Sequence, residues 1–211
     1  MRIIFVTGGA RSGKSAYALS QARILPGKKA FLATAQALDN EMSRRIDIHR
    51  KERGSTFDTY EEPIKISQII EELKPRYDVM LIDCLTLWLS NIMYAGLDVV
   101  QEIDKLVGTI LADARTQGAG ASPAPTLGNV DDGPRAGASP APTLGNVDDG
   151  PRAGASPTTI FIVSNEVGMG IVPENTLARQ FRDYQGILNQ HIAGIAIEGY
   201  LMVSGIPVRI K

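Results

Sequence analysis

Lys14 and Ser15 close the string GGARSGKS at residues 8–15, which has the spacing G-x-x-x-x-G-K-[ST] of a phosphate-cradling loop. The chemistry follows from the residue types. Gly8, Gly9 and Gly13 let the backbone curl so that its N–H groups converge on phosphate oxygens, with Ala10, Arg11 and Ser12 completing the turn. A helix starting here adds the positive end of its dipole. Lys14 reaches the β and γ oxygens of a nucleoside triphosphate, and Ser15 offers a hydroxyl to Mg²⁺. The bland alternative is a glycine-rich turn with a chance lysine. The flanks argue against it: Ile3-Ile4-Phe5-Val6 is a short β-branched, apolar run suited to a buried strand, and Ser15-Ala16-Tyr17-Ala18-Leu19 opens a helix.

Three further groups carry possible chemistry. Val79-Met80-Leu81-Ile82 delivers Asp83 to the carboxyl end of a buried strand, where a carboxylate holds Mg²⁺, often through water; capping the helix that begins near Leu85 is the other reading. Arg45, His49 and Arg53 lie four apart and share one face of a helix over 38–53, beside Arg50. Cations around an imidazole disfavour its protonated form and leave it nucleophilic near neutral pH, able to carry a phosphorus group covalently. On spacing alone a solvated face with Glu41 and Arg45 paired at i, i+4 is the simpler reading. The third group is 160–190. There a strand ends at Ser164-Asn165-Glu166, a loop carries Gly168 and Gly170, and a helix follows with Leu177, Phe181, Tyr184 and Leu188 as its buried stripe. Arg179, Arg182 and Asp183 project elsewhere, and ordinary packing with a surface ion pair serves equally well.

The remaining reactive types read as structural. His191 lies on the last helix among small residues, Cys84 reads as a small buried apolar group, and Trp88 as core or an interface anchor. Two histidines and one cysteine far apart in sequence argue against a zinc cluster.

These groups need elements to position them. Strands are predicted at 2–7, 29–34, 57–60, 78–83, 158–164, 199–204 and 207–210, and helices at 14–25, 38–53, 66–74, 85–95, 98–116 and 174–196. Pro26-Gly27 ends the first helix, Pro173 suits the first turn of the last, and Ser204-Gly205-Ile206-Pro207 reads as a hairpin turn. Alternation of this kind predicts an α/β protein resembling P-loop NTPases. Its sheet is mostly parallel, with helices on both faces and a C-terminal antiparallel hairpin, and ligands sit at the carboxyl ends of the strands.

One segment falls outside that pattern. AGASPAPTLGNVDDGPR at 119–135 recurs unchanged at 136–152, and a third copy begins at 153–157. Seven of the chain's 12 prolines lie in 119–157, and each unit has only a leucine and a valine as sizeable apolar groups. Such a unit cannot offset its ordering entropy by burial, which disfavours a solenoid. The expectation is a single P-loop nucleotide-binding domain over 1–211 with a disordered repeat insert at about 118–157, at modest closure cost.

Composition narrows the function. With 211 residues and 44% hydrophobic content the chain can bury a sizeable core. A net charge of −1 gives no bulk attraction to nucleic acid or anionic membrane. The lone Cys84 excludes an internal disulfide framework. No apolar run approaches a membrane span of ~20 residues, and the N-terminus runs directly into the loop motif, so a soluble cytoplasmic protein is expected.

Together the segments resemble one family: the bifunctional adenosylcobinamide kinase / adenosylcobinamide-phosphate guanylyltransferase of cobalamin assembly. The matching strings are TGGARSGKS at 7–15, ATAQALDNEMSRRIDIHR at 33–50, DCLTLWLSN at 83–91, SNEVGMGIVPENTLARQFRDYQGILNQ at 164–190 and VSGIPVRIK at 203–211. The resemblance implies phosphorylation of a corrinoid alcohol from ATP or GTP, then transfer of GMP from GTP to the resulting phosphate, with Mg²⁺. It implies that His49 carries GMP covalently. It further implies that Gly8 to Ser15 form the phosphate loop and that Ala33, Thr34, Ala35, Arg50, Lys51, Glu52, Arg53, Glu61 and Asp83 contact the guanine nucleotide. A homo-oligomer, such as a trimer, is implied as well. The repeat insert departs from the family pattern. Two competing readings are a P-loop kinase of another small alcohol, with His49 structural, and a non-enzymatic GTP-gated regulatory module. A signalling GTPase is disfavoured by the lack of an N-K-x-D string.

Overall fold

Residues 79–82 are almost completely removed from solvent, and so are 3–6 and 160–163. A strand can lose water on both faces only if other layers cover both, which is why these segments are unbroken apolar runs rather than alternating ones. The computed structural model describes residues 1–36, 54–112 and 158–211. The expected helix 38–53 and the repeat lie outside the described residues.

The elements run β1 (Arg2–Gly8), α1 (Lys14–Ile24), β2 (Lys29–Ala33), a 3₁₀ turn (Gly54–Thr56), β3 (Asp58–Glu61), α2 (Ile66–Leu73) and β4 (Val79–Asp83). They continue as α3 (Leu85–Tyr94), α4 (Val99–Leu111), β5 (Thr159–Val163), α5 (Thr176–Ile195), β6 (Glu198–Val203) and β7 (Ile206–Arg209). The seven strands form one sheet in the order β3-β2-β4-β5-β1-β6-β7, parallel throughout except for the β6–β7 hairpin.

The two faces are covered unequally. On one, Ile3, Phe5, Leu32, Met80, Ile82, Ile160 and Ile162 pack with residues of α2, α3, α4 and α5. On the other, Ile4, Val6, Phe31, Leu81, Phe161 and Val163 meet α1 through Ala18 and Ala22. Two alanines at i, i+4 let α1 lie close on β4 and β5, which draws the loop before it down onto the strand ends. Each large apolar side chain in these layers is worth ~1.5–3 kcal/mol of burial.

Local chemistry explains the element ends and several differences from the sequence expectation. Asp98 caps α4 by accepting from the Gln101 amide at 3.0 Å. Asn175 caps α5 from Ala178 N at 3.1 Å, so the helix starts at Thr176 and Pro173 precedes it rather than lying in its first turn. With the start displaced, Leu177 is 63% exposed and drops out of the buried stripe, whereas Leu188 is fully buried. The expected strand 57–60 is shifted by one residue, because Phe57 turns into the core beside Phe31 before the ladder begins. The C-terminal hairpin turn is only Ser204-Gly205, both with positive φ (51° and 84°), as a two-residue turn between twisted strands requires. Ile206 and Pro207 therefore belong to β7. Pro207 is tolerated there because β7 is an edge strand. Of the helix expected over 98–116, Val99–Leu111 is helical, and residues 113–116 lie outside the described residues.

Candidate active site at the strand ends

Parallel pairing places the carboxyl ends of five strands along one edge. The register aligns Glu61 with Ala33, Ala33 with Asp83, Asp83 with Val163 and Val163 with Val6. That row covers four strand spacings, roughly 19 Å at ~4.8 Å each. The glycine loop rises at one end of it, directly after β1, and Glu61 stands at the other.

The loop is held from two sides. Glu166 N donates to Gly8 O at 3.0 Å, and Gly205 N donates to Ser12 O at 3.0 Å. Gly8 has φ 147°, and a Cβ there would stand 2.5 Å from Met202 O and 2.9 Å from Ser12 Oγ, so only glycine fits against β6. Gly13 precedes α1 with φ 92° and provides no side-chain cap. The unusual backbone extends to Arg11, at φ 55°. Ser12 Oγ is buried without a hydrogen-bond partner.

Lys14 is buried, and its Nζ donates to Gly9 O at 2.6 Å. Burial pulls its pKa below the ordinary lysine value, while the Asp83 carboxylate acts in the opposite direction through its charge. Asp83 ends β4, and β5 lies between it and β1, the strand that leads to the loop lysine. The N-cap of α3 is Cys84, whose side chain makes no cap bond. The Cys84 thiol is pushed up to about 12, first by burial and then by Asp83, so it stays protonated and inert.

Mg²⁺ is implied by the loop motif and the strand-end carboxylate. Among the described residues no three His, Cys, Asp or Glu gather as a metal cage. Ser15 and Asp83 are both partly exposed, and oxygen donors of this kind could hold an ion completed by phosphate oxygens and water.

The second strand end of the row is tightly bonded. Thr34, fully buried, donates from Oγ1 to Cys84 O at 2.7 Å and accepts from Cys84 N at 2.9 Å. Asn91 Nδ2 donates to Thr34 O at 2.8 Å and to Pro63 O at 3.0 Å, and Trp88 Nε1 donates to Ile64 O at 2.8 Å. Glu62, not the exposed Glu61, is the buried carboxylate here; its Oε1 accepts from Ile64 N and Lys65 N, both at 2.8 Å. Trp88 is core, fully buried, with its ring nitrogen satisfied.

Sequence reading missed a second polar network. Thr86 Oγ1 accepts from Asn165 N at 2.7 Å, and Asn189 Nδ2 donates to Asn165 O at 3.0 Å. Gln185 Nε2 donates to Ser164 Oγ at 2.9 Å and to Asn189 Oδ1 at 3.0 Å. These bonds fix the chain after β5, where Glu166 turns to accept Gly168 N at 2.9 Å beside the glycine loop. One signal was present: Gln185 and Asn189 are amides at i, i+4, flanking the apolar Leu188 and Ile192. Arg182 and Asp183 form the expected surface pair at 3.5 Å, and His191 is a packed histidine, 8% exposed.

The structure thus brings Gly8 to Ser15, Ala33 to Ala35, Glu61 and Asp83 to one sheet edge. His49, Arg50, Lys51, Glu52 and Arg53 lie outside the described residues.

A strand, a glycine loop closed by lysine and serine, a helix on a parallel sheet and a strand-end aspartate define a P-loop α/β protein of the nucleotide-binding class. Comparison narrows this. The chain matches the family model for cobinamide kinase / cobinamide phosphate guanyltransferase over residues 4–119 and 152–210, and it belongs to that family. It is 35% identical to the bifunctional adenosylcobalamin biosynthesis protein CobU of Escherichia coli K12, with 99% of each chain covered. It is 34% identical to the protein of that name from Salmonella typhimurium LT2, again over 99% of both. It is 32% identical to the bifunctional adenosylcobalamin biosynthesis protein CobP of Pseudomonas aeruginosa, over 98% of this chain and 95% of that one. Among solved structures, an ATPase from the type III secretion system of pathogenic bacteria aligns over 95% of this chain and 50% of its own. Its identity is 11% and its TM-score 0.49.

Proposed function

We propose that this chain phosphorylates the aminopropanol hydroxyl of adenosylcobinamide and then transfers GMP from GTP to that phosphate, with His49 carrying the guanylyl group. What carries the reading is the family match on both sides of the repeat, spanning nearly everything outside it.

In the kinase step the corrinoid hydroxyl attacks the γ-phosphorus of ATP or GTP, the bond to the β-phosphate oxygen breaks, and the hydroxyl proton is lost to water or a basic group. Gly8 to Ser15 hold the phosphates; Lys14, already desolvated, is a strong partner for their charge. In the transfer step a ring nitrogen of His49 attacks the α-phosphorus of GTP and pyrophosphate leaves. An oxygen of the corrinoid phosphate then attacks the same phosphorus, the P–N bond breaks, and the imidazole is restored. Ala33, Thr34, Ala35 and Glu61, with Arg50, Lys51, Glu52 and Arg53, face the guanine nucleotide. Ser15 and Asp83 would hold Mg²⁺, which offsets phosphate charge when bound.

The same reading includes a homo-oligomer, such as a trimer, a cytoplasmic location and one domain interrupted by an insert at about 118–157. The family match skips 120–151, which supports the insert. Among the described residues no helix is long and apolar enough to cross a membrane.

The test is labelling with GTP carrying ³²P at the α position. Label that is acid-labile and base-stable, and lost in His49→Ala, is expected. Label absent from the unsubstituted protein, or retained in His49→Ala, overturns the histidine route. Mass analysis of products from adenosylcobinamide, ATP, GTP and Mg²⁺ tests the two activities separately.

A further inference from the structure

We infer that Asn91 is a positioning residue that sets the enzyme's preference for guanine over adenine nucleotides, by fixing the spacing between the 33–35 and 61–64 segments. The inference rests on the proposed contact of 33–35 and Glu61 with the guanine nucleotide, which we take to be at the base because these residues stand in the row away from the glycine loop that holds the phosphates.

The β2–β3 ladder runs out at this point. Its last bond is Glu62 N to Ala33 O at 3.0 Å. Beyond it the two chains part: Thr34 N turns to Asp83 O at 3.2 Å, while 62–65 bends into α2. The carbonyls of Thr34 and Pro63 are then left side by side with no ladder to serve both. The Asn91 amide serves them, since its two N–H groups diverge from one nitrogen and each takes one carbonyl. A hydroxyl has one proton and could not. One helical turn earlier, on the same face of α3, Trp88 takes the next carbonyl, Ile64 O.

The bracket has a fixed anchor. Helix α3 follows β4 directly, and the Thr34–Cys84 pair of bonds locks their junction to β2. Asn91 therefore ties both base-side segments to the body that carries Asp83. It makes no bond to the glycine loop, which emerges from β1, two strands beyond β4. Loss of Asn91 should loosen the contacts to the base and leave the contacts to the phosphates alone. A merely structural role would weaken every nucleotide alike.

The experiment is calorimetric titration of the full chain with GTP and with ATP, alongside a thermal melt. Asn91→Ala should lower GTP affinity about tenfold, the worth of one to two ordinary hydrogen bonds. ATP affinity should stay within about twofold. Trp88→Phe keeps an aromatic core and releases only Ile64 O; it should shift the GTP:ATP ratio the same way by a smaller factor, and it decides the matter if Asn91→Ala does not fold. Equal losses for both nucleotides, or an unchanged ratio in a protein that prefers GTP, overturn the role of Asn91 alone. An unsubstituted protein with no preference for GTP overturns the base-facing reading of 33–35 and 61, and this inference with it.

Discussion

Replacing Gly8 by alanine should separate the loop from β6 and lower stability well beyond an ordinary glycine substitution. The added methyl would sit 2.5 Å from Met202 O, 2.9 Å from Ser12 Oγ and 3.1 Å from Met202 N, with the backbone already at φ 147°. Side-chain ends can swing away, but Met202 O and N belong to the β1–β6 ladder, where Gly8 pairs with Met202. The loop cannot retreat freely either, because Glu166 N and Gly205 N hold it at Gly8 O and Ser12 O. Backbone strain at such a φ costs about 1–3 kcal/mol, and overpacking against fixed atoms about 1–3 kcal/mol more. The total is roughly 2–6 kcal/mol, or roughly 6–18 °C in melting temperature at about 3 °C per kcal/mol for a chain of this size. The control lies one residue away: a Cβ on Gly9 would meet nothing within 4 Å, so Gly9→Ala should stay within ~1 kcal/mol of the parent. Differential scanning calorimetry of both variants without nucleotide is the assay. If Gly8→Ala melts within ~2 °C of Gly9→Ala, the close approach of loop and β6 is not what demands glycine here.

Other outcomes follow from the same geometry. Lys14 has a lowered pKa in the fold, so the unfolded chain binds more protons and native stability rises with pH across the window below the ordinary lysine value of 10.5. Nucleotide-free Lys14→Met should therefore be more stable than the parent near pH 7, with the gap narrowing toward pH 10; a gap that widens in denaturant titrations refutes the burial argument. The Cys84 thiol, pushed up to about 12 and 8% exposed, should react with iodoacetamide at pH 8 only as fast as the protein unfolds; rapid labelling of the native protein contradicts that. Deleting one repeat copy, residues 136–152, should change unfolding free energy by less than ~1 kcal/mol, since halving a loop alters closure entropy by only ~0.6 kcal/mol. A larger loss would show that the repeat contributes contacts of its own.

Much of the fold was legible along the chain. Runs such as Ile3–Val6 and Val79–Ile82 announce strands buried on both faces, and the string from Gly8 to Ser15 announces the loop between β1 and α1. Boundaries failed where a local device outranked the pattern. Asn175 starts α5 past Pro173, and Leu177 in its first turn is exposed rather than part of the core. The Ser204–Gly205 turn, with both φ positive, shortens the hairpin loop by two residues. In the site, the place of the glycine loop after β1 and of Asp83 at the end of β4 was readable because each depends on immediate neighbours. Asn91, Thr86, Gln185 and Asn189 were not, because each bonds to backbone or side chains brought near only by the sheet.

The amino-acid order by itself determined which segments become strands and helices, where the glycine loop stands between them, and that one Pro-rich repeat stands apart from the alternating pattern. These depend on conformational preference and burial, both of which act over a few residues. Tertiary structure alone decided the lateral order β3-β2-β4-β5-β1-β6-β7. That order puts Glu61, Ala33 and Asp83 in one row with the strand leading to the loop, and sets the amide of Asn91 between two carbonyls 57 and 28 residues away. Such neighbours are chosen by how whole layers pack, so no local pattern in the chain encodes them.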